Sequence, residues 1–137
     1  VDSTERFGPL ATQYARFRPD YPDSAISFVT SWCKLGDDSL LVDVGSGTGI
    51  STRAFAEQSS RTIGIEPNDA MRSQAEETPA SPFATPPEYR KGTAENTELD
   101  DRCADVVACA QSFHWFDSSA ALAEFHRILK PGGWVAL

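Results

Sequence analysis

The sequence has little positive charge and no long apolar run. Lysine and arginine number 12 against 20 aspartates and glutamates, which gives a formal net charge of −8 and a pI near 4.6. Nucleic-acid binding depends on clustered cations that displace counterions from phosphates, and the sequence contains no such cluster. A membrane-spanning helix needs about 20 consecutive apolar residues. We therefore expect a small-molecule ligand, with no nucleic-acid and no membrane partner.

The sequence also has few residues suited to disulfides or metals. Its three cysteines, Cys33, Cys103 and Cys109, show no CxxC spacing and lie in apolar stretches. This pattern predicts reduced core thiols in a cytoplasmic protein, and the start shows no signal-peptide pattern. The two histidines, His114 and His126, lie 12 residues apart without neighbouring cysteine ligands, so no metal site is expected.

Strand patterns alternate with helix patterns along the 137 residues, a length that suits one domain, 1–137. Such alternation predicts a mostly parallel sheet with helices on both faces, the doubly wound α/β class. Four prolines between Thr78 and Pro87 predict a loop, and Pro131-Gly132-Gly133 predicts the end of the last helix. The predicted strands are 40–44, 61–66, 89–91, 104–110 and 134–137, and the predicted helices are one with Pro22 in its first turn and those at 51–59, 67–77 and 118–129.

The stretch LVDVGSGTG (Leu41–Gly49) joins the first predicted strand to a helix through three glycines. Such a loop lets a ligand approach the backbone closely, and nicotinamide and flavin cofactors, nucleotides and S-adenosylmethionine are all held at turns of this kind. The dinucleotide fingerprint G-x-G-x-x-G needs glycine at position 50, where the chain has Ile50, and the Gly-Lys-Ser/Thr of a P-loop is missing. The spacing therefore disfavours nicotinamide, flavin and triphosphate ligands.

An acidic residue, Glu66, ends the second predicted strand 21 residues after Gly45. An acidic side chain at this interval can accept hydrogen bonds from both hydroxyls of an adenosine ribose. A glycine loop by itself is as often a plain tight turn as it is a ligand site. The loop together with a strand-ending acid favours a cofactor that contains adenosine.

Six motifs follow one another along the chain: YARFRPDYP (Tyr14–Pro22), LVDVGSGTG (Leu41–Gly49), IGIEPNDAM (Ile63–Met71), GTAENTEL (Gly92–Leu99), ADVVACAQSFHWFD (Ala104–Asp117) and RILKPGG (Arg127–Gly133). Together they resemble the class I S-adenosylmethionine-dependent methyltransferases, in the group that includes methyltransferase type 11 and trans-aconitate methyltransferase-like enzymes. The resemblance implies a Rossmann-like, mostly parallel sheet and says less about the substrate. The chain departs from the family by stopping at Leu137 inside the fifth strand, so we expect a C-terminally incomplete domain that lacks the family's last two strands.

The resemblance also implies which residues hold S-adenosylmethionine. An adenine ring is flat and apolar, and it needs packing on its faces with a few polar groups around its rim. The implied residues are Asp43, Gly45, Ser46 and Gly47 around the methionine part, Glu66 at the ribose, Pro67, Asn68 and Met71 beside the adenine, Ala94 and Glu95 at its edge, and Gln111 at the amino acid end.

His114 is the candidate catalytic residue, because it follows the fourth predicted strand at the edge of the sheet where ligands bind. It could act as a general base for an alcohol or amine, or only order its loop. Trp115 could line a substrate pocket or belong to the core. Tyr14, Arg18 and Tyr21 resemble the family's amino-terminal lid over the substrate, where Arg18 binds an anionic substrate or the cofactor carboxylate, or forms a surface ion pair.

The function that the resemblance implies is methyl transfer from S-adenosylmethionine to a small molecule by in-line displacement, with a carboxylate as one candidate acceptor. Two other classes stay open on the sequence. One is a non-catalytic cofactor-binding or assembly module, which the early end of the chain favours, and the other is a nucleotide-sugar or nicotinamide enzyme with an altered loop. A fifth strand left as an apolar edge also predicts self-association.

Overall fold

Strands and helices alternate along residues 20–59 and 61–137, which are the residues that the computed structural model describes. This alternation agrees with the prediction from the sequence. In chain order the elements are α1 (Asp23–Trp32), β1 (Leu40–Val44), α2 (Ile50–Ala56), β2 (Arg61–Ile65), α3 (Asp69–Glu77), β3 (Glu88–Arg90), β4 (Ala104–Ala108), a 3-10 helix (Phe113–Trp115), α4 (Ser118–Ile128) and β5 (Leu129–Ala136).

The strand β1 lies at the centre of a five-stranded, fully parallel sheet with the order β3-β2-β1-β4-β5. Val42 is in register with Ile63 of β2 on one side and with Val107 of β4 on the other. The strand order reverses beside β1, and open sheets of this kind bind ligands in the crevice at the carboxyl ends of the strands at such a point. The segments that follow β1, β2 and β4 therefore meet at one crevice.

Side chains of β1 pack on both faces of the sheet, because successive residues of a strand point to opposite sides. Leu41 packs with Ile26 of α1 and Phe55 of α2. Val42 belongs to the cluster on the other face, which contains Phe125 of α4. This arrangement confirms the doubly wound, Rossmann-like α/β fold.

The last strand differs from the prediction. The sequence Pro131-Gly132-Gly133 predicts a break before a strand at 134–137, but β5 begins at Leu129 and contains these residues. Gly132 has a φ of 80°, and the register between β4 and β5 shifts between Ala104 and Val106. A bulge on an edge strand tolerates proline and glycine, because the ladder is already interrupted there. The helix stop was predicted correctly, and the intervening loop was wrong.

Other boundaries also shift by a few residues, among them the helix predicted at 51–59, which is Ile50–Ala56, and the strand predicted at 89–91, which is Glu88–Arg90. The helix α3 begins at Asp69 and not at Pro67, because the side chain of Asn68 accepts a hydrogen bond from the Met71 amide at 3.0 Å and caps the helix. The strand β2 ends at Ile65, so Glu66 is the first residue beyond it. The strand β4 ends at Ala108, two residues before the predicted end.

Apolar side chains remain exposed beside the edge strand β5. Trp32 of α1 is 60% exposed, Trp134 of β5 is 47% exposed and Leu137 is 70% exposed. The rings of Trp32 and Trp134 meet edge to face, with centroids 6.2 Å apart. Among the described residues, large apolar side chains therefore remain exposed near β5.

A buried carboxylate, Glu124 of α4, joins this helix to the segment that precedes β4. Its Oε1 accepts hydrogen bonds from the Thr97 amide at 2.8 Å and the Thr97 hydroxyl at 2.6 Å. Its Oε2 accepts a bond from Nε of Arg127 at 2.7 Å, and Nη2 of Arg127 donates to the Leu99 carbonyl at 2.7 Å. The Arg127 bond, followed by the Thr97 bonds, lowers the pKa of Glu124 to about 2 against the opposing effect of burial.

We expect Glu124→Gln to lower the free energy of unfolding near pH 7 by on the order of 2 kcal/mol, since one pKa unit corresponds to about 1.4 kcal/mol. The folded pKa is depressed, so this stabilisation is present above the ordinary glutamate value of 4.5 and is lost as the pH falls towards about 2. Urea unfolding of both proteins across that range measures the difference. Glu76→Gln, at an exposed position of α3, is the control. A difference between wild type and Glu124→Gln that did not shrink at low pH would contradict the prediction.

Candidate functional site

The loop between β1 and α2 has a backbone that requires glycine. Gly45, Gly47 and Gly49 have φ values of 73°, 56° and 83°, in the left-handed region that side chains disfavour. A Cβ on Gly47 would lie 3.3 Å from Cε of Met71. The Met71 side chain therefore packs directly against the loop backbone at Gly47, where a larger residue would crowd it.

The carboxylate of Glu66 faces this glycine loop. Its Oε2 accepts a hydrogen bond from the Gly47 amide at 2.8 Å, and its Oε1 accepts one from the Asn68 amide at 2.9 Å. Glu66 is only 6% exposed. Burial raises its pKa, and the two backbone hydrogen bonds oppose this effect. The structure thus brings together the loop and the acid that the sequence singles out.

Asp43 lies behind the loop and ties β1 to α2. Its Oδ2 accepts hydrogen bonds from the Ser51 hydroxyl at 2.6 Å and the Thr52 hydroxyl at 2.7 Å. All three residues are buried. Neither Ser51 nor Thr52 is among the site residues predicted from the sequence. Their place in the first turn of the helix after the loop is the signal that could have identified them.

The segment after β4 closes the other side of the crevice. The Ser112 hydroxyl donates a hydrogen bond to the Val44 carbonyl at 2.8 Å. A Cβ on Gly45 would lie 2.7 Å from the Ser112 Cβ. Gln111 has a φ of 58°, a strained value for a residue with a side chain. Gln111 is thus the third residue after β4, and the contact of Ser112 with β1 is one that the sequence did not predict.

His114 and Trp115 belong to the exposed 3-10 helix of this segment. Their ring centroids lie 4.8 Å apart, and Trp115 is 44% exposed. Phe113 and Phe116 anchor the same turn against the core. His114 is thus presented on the surface by a packed turn, and Trp115 is not a core residue.

The residues expected beside the adenine follow β2 and β3. Met71 is buried next to Gly47, whereas Pro67 and Asn68 are half-buried. Ala94 is 3% exposed and packs in the core, so its methyl group is not free to contact a ligand.

Glu95 and Ser46, two other residues expected to contact the cofactor, have different surroundings. The Glu95 carboxylate accepts a hydrogen bond from the Asp117 amide at 2.9 Å, next to the start of α4. Ser46 is buried, and its hydroxyl has no hydrogen-bond partner among residues 20–59 and 61–137. Glu95 therefore has a structural contact in addition to any contact with a ligand.

The expected substrate side is described only in part. The Tyr21 hydroxyl donates a hydrogen bond to the Ala110 carbonyl at 3.3 Å, which joins the start of α1 to the end of β4. Tyr14 and Arg18 lie outside the described residues. Of these three residues, the structure therefore describes Tyr21, which lies beside the end of β4.

The described ranges have neither a metal-binding cluster nor a helix that could span a membrane. Within 20–59 and 61–137, no three His, Cys, Asp or Glu side chains are grouped as a metal site would require. None of the helices in that part of the chain has the length and apolar character needed to span a bilayer.

Comparison with known proteins identifies relatives of one kind. Residues 42–137 match the family described as a methyltransferase domain. An uncharacterized methyltransferase of Mycobacterium tuberculosis is 33% identical over 140 residues, which cover 99% of this chain and 52% of that protein. A malonyl-[acyl-carrier protein] O-methyltransferase of Pectobacterium atrosepticum is 31% identical over 97 residues, which cover 70% of this chain and 36% of that protein. The chain spans about half the length of the curated relatives it matches.

Solved structures share the same fold. A protein of Methanococcus maripaludis, described as an S-adenosyl-L-methionine-dependent methyltransferase, has a TM-score of 0.76 at 26% identity, over 91% of this chain and 58% of that one. A protein of Anaeromyxobacter dehalogenans, described as a type II methyltransferase, has a TM-score of 0.71 at 29% identity, over 86% of this chain and 47% of that one.

Proposed function

We propose, from the premise that the chain belongs to the methyltransferase domain family, that it binds S-adenosylmethionine and takes part in methyl transfer to a small molecule. The observation that supports this most is the buried Glu66 carboxylate, which the Gly47 amide holds against the glycine loop at 2.8 Å. A buried acid beside a glycine-rich strand-to-helix loop is the arrangement that dinucleotide-binding folds use to hold an adenosine ribose.

The residues around the crevice fit this cofactor. Each oxygen of Glu66 accepts one backbone hydrogen bond and keeps a lone pair for a ribose hydroxyl. Met71 offers a thioether beside Gly47, and thioethers pack well on aromatic rings. Nη1 of Arg53 donates to the Thr48 carbonyl at 2.9 Å, so this guanidinium supports the loop backbone. The site thus suits an adenosyl group without phosphates.

The remaining expected residues take the roles that their positions allow. Asp43 holds the loop from behind through Ser51 and Thr52, while Gly45 and Ser46 would border the methionine part. Gln111 would contact its amino acid end. Pro67, Asn68 and the Ala94 backbone would surround the adenine, with Glu95 at its rim.

The chain contributes positioning more than acid–base chemistry. S-adenosylmethionine, when bound, supplies a methyl group on a sulfonium that a nucleophile can attack in line. Good orientation contributes about 7 to 11 kcal/mol to reactions of this kind. His114 would accept the proton of an alcohol or amine acceptor, whereas a carboxylate arrives deprotonated and needs no base.

A carboxylate oxygen is the acceptor atom that we favour. One relative is named as an O-methyltransferase. A carboxylate acceptor would also agree with the exposed position of His114, because no buried base is then needed. Arg18 would bind this acid or the cofactor carboxylate, and Tyr14, Tyr21 and Trp115 would border it.

Titration calorimetry with S-adenosylmethionine and with S-adenosylhomocysteine tests the proposed cofactor, and NAD is the comparison ligand. We expect both sulfur compounds to bind and NAD to give no heat. Binding of NAD alone would instead support the nicotinamide alternative.

A non-catalytic cofactor-binding module is the second candidate. The chain spans about half the length of its relatives, so residues that they use for the acceptor can lie outside it. Turnover of a library of small acids, measured on this chain and on a version extended to the length of those relatives, separates the two. If the chain is part of an enzyme, at least one of the two proteins forms product. If it is a binding module, both proteins bind the cofactor and neither forms product.

We also propose that the edge of β5 mediates self-association, since Trp134 and Leu137 are exposed beside it. Unpaired strand edges with apolar side chains pair readily, and a charge on the edge prevents it. We expect sedimentation to give a concentration-dependent dimer for the wild type and a monomer for Val135→Lys. Leu122→Lys, at an exposed position of α4, is the control and should leave the dimer intact. A monomeric wild type at every concentration would disprove this proposal.

A further inference from the structure

A cavity of about 230 Å³ opens between α1 and the carboxyl ends of β4 and β5. Ala25, Ile26 and Val29 of α1 form one wall, and Ala108 of β4 and Ala136 of β5 form the opposite wall. An apolar cavity of about 150 Å³ already holds a benzene molecule. The volume is therefore large enough for an aromatic ring or a short alkyl chain.

The chemistry of the walls is almost entirely apolar. Among the residues that the structure describes, those lining the cavity have uncharged side chains, and the polar ones are Tyr21 and Gln111. Both lie towards the end of β4, where the Tyr21 hydroxyl donates to the Ala110 carbonyl. A charged group placed deep in such a cavity would lose its hydration without gaining a partner. The cavity therefore selects an uncharged group.

The position of the cavity links it to the proposed cofactor site. Ala110 and Gln111 border the cavity, and the next residue, Ser112, bonds to the Val44 carbonyl at the base of the glycine loop. One short segment after β4 thus separates the cavity from the crevice. A molecule with one end in the cavity would present its other end to the crevice across Gln111.

We propose that this cavity holds the apolar part of the methyl acceptor, so that the substrate is a small amphipathic molecule with an aliphatic or aromatic body. The inference rests on the proposed function and deepens it by naming the substrate class. The polar acceptor atom lies at the Gln111 end, and the apolar body lies between α1 and the two strands.

Octanoate, 1-octanol and octanedioate are probes of equal chain length that test this directly. Octanedioate places a second carboxylate at the end that would enter the cavity. With S-adenosylhomocysteine saturating, calorimetry should show octanoate or octanol binding at least tenfold more tightly than octanedioate. Equal binding of octanoate and octanedioate, or binding of neither octanoate nor octanol, would overturn the proposal. The second result would mean that the cavity does not bind an apolar chain.

Two variants of α1 control the position of binding. Ala25 lines the cavity at an exposed position, so Ala25→Phe fills it from its mouth with little risk to the fold. Ser24→Phe adds the same ring next to it, outside the lining. We expect Ala25→Phe to weaken octanoate at least tenfold and to leave the Kd of S-adenosylhomocysteine unchanged, whereas Ser24→Phe changes neither. Octanoate binding that Ala25→Phe leaves intact would also overturn the proposal.

Failure of the proposed function and failure of the cavity proposal give different results. If S-adenosylhomocysteine does not bind, the proposed function fails. The same octyl probes titrated without it then still decide whether the cavity takes an apolar ligand.

Discussion

Gly45→Ala is expected to destabilise the protein by about 3 kcal/mol or more, since a left-handed alanine costs about 1–2 kcal/mol and overpacking about 1–3 kcal/mol. Gly45 has a φ of 73°, and its new Cβ would lie 2.7 Å from the Ser112 Cβ and 3.0 Å from Cζ of Phe116. Ser112 cannot move aside easily, because its hydroxyl is bonded to the Val44 carbonyl. Thermal unfolding should show a fall in Tm on the order of 10 °C.

Two other glycines separate the causes of this effect. Gly132 has a φ of 80° with nothing within 4 Å of a Cβ, so Gly132→Ala measures the backbone strain alone. Gly36 has open space and no strained φ, so Gly36→Ala should be neutral or slightly stabilising. If Gly45→Ala lost no more stability than Gly132→Ala, the close packing of Ser112 on the glycine loop would be wrong.

Glu66→Ala is expected to weaken S-adenosylhomocysteine binding about 100-fold or more, since each hydrogen bond to a charged group contributes about 1.5–3 kcal/mol. The variant removes the proposed acceptor for the ribose hydroxyls. It also leaves the Gly47 and Asn68 amides without the carboxylate that holds them at 2.8 and 2.9 Å. Titration calorimetry measures the loss.

Glu76→Ala, on the exposed face of α3, is the control for Glu66→Ala and should bind as the wild type does. Because burial raises the pKa of Glu66, wild-type binding should weaken as the pH falls through a value above that of an ordinary glutamate, 4.5. Protonation of Glu66 removes a hydrogen-bond acceptor, so binding should be lost as the solution becomes more acidic. Binding that Glu66→Ala left unchanged would mean that another residue holds the ribose.

Much of the fold could be predicted because its signals are local. The buried strand Leu41–Val44 and the three glycines that follow lie within a few residues of one another, and Glu66 marks the end of the next strand. Parallel strands place their carboxyl ends at one edge, so the meeting of Glu66 with Gly47 follows from the order of the elements.

The contacts that the sequence did not predict join residues far apart in the chain. Ser112 reaches Val44 across 68 positions, and Thr97 reaches Glu124 across 27. The two members of each pair do not share a motif, because each contact depends on the register between strands and on how α4 packs. The early start of β5 has a different cause. Pro131 and Gly132 read as a helix stop, but an edge strand with a bulge tolerates them.

The measurement that tests the central claim most directly uses S-adenosylhomocysteine and its 2′,3′-dideoxyribose analogue on the wild type and on Glu66→Ala. A double cycle of this kind isolates the interaction between the acid and the two hydroxyls. If Glu66 holds the ribose, removing the hydroxyls weakens wild-type binding by a large factor and leaves Glu66→Ala binding unchanged. An equal loss in both proteins would contradict the account.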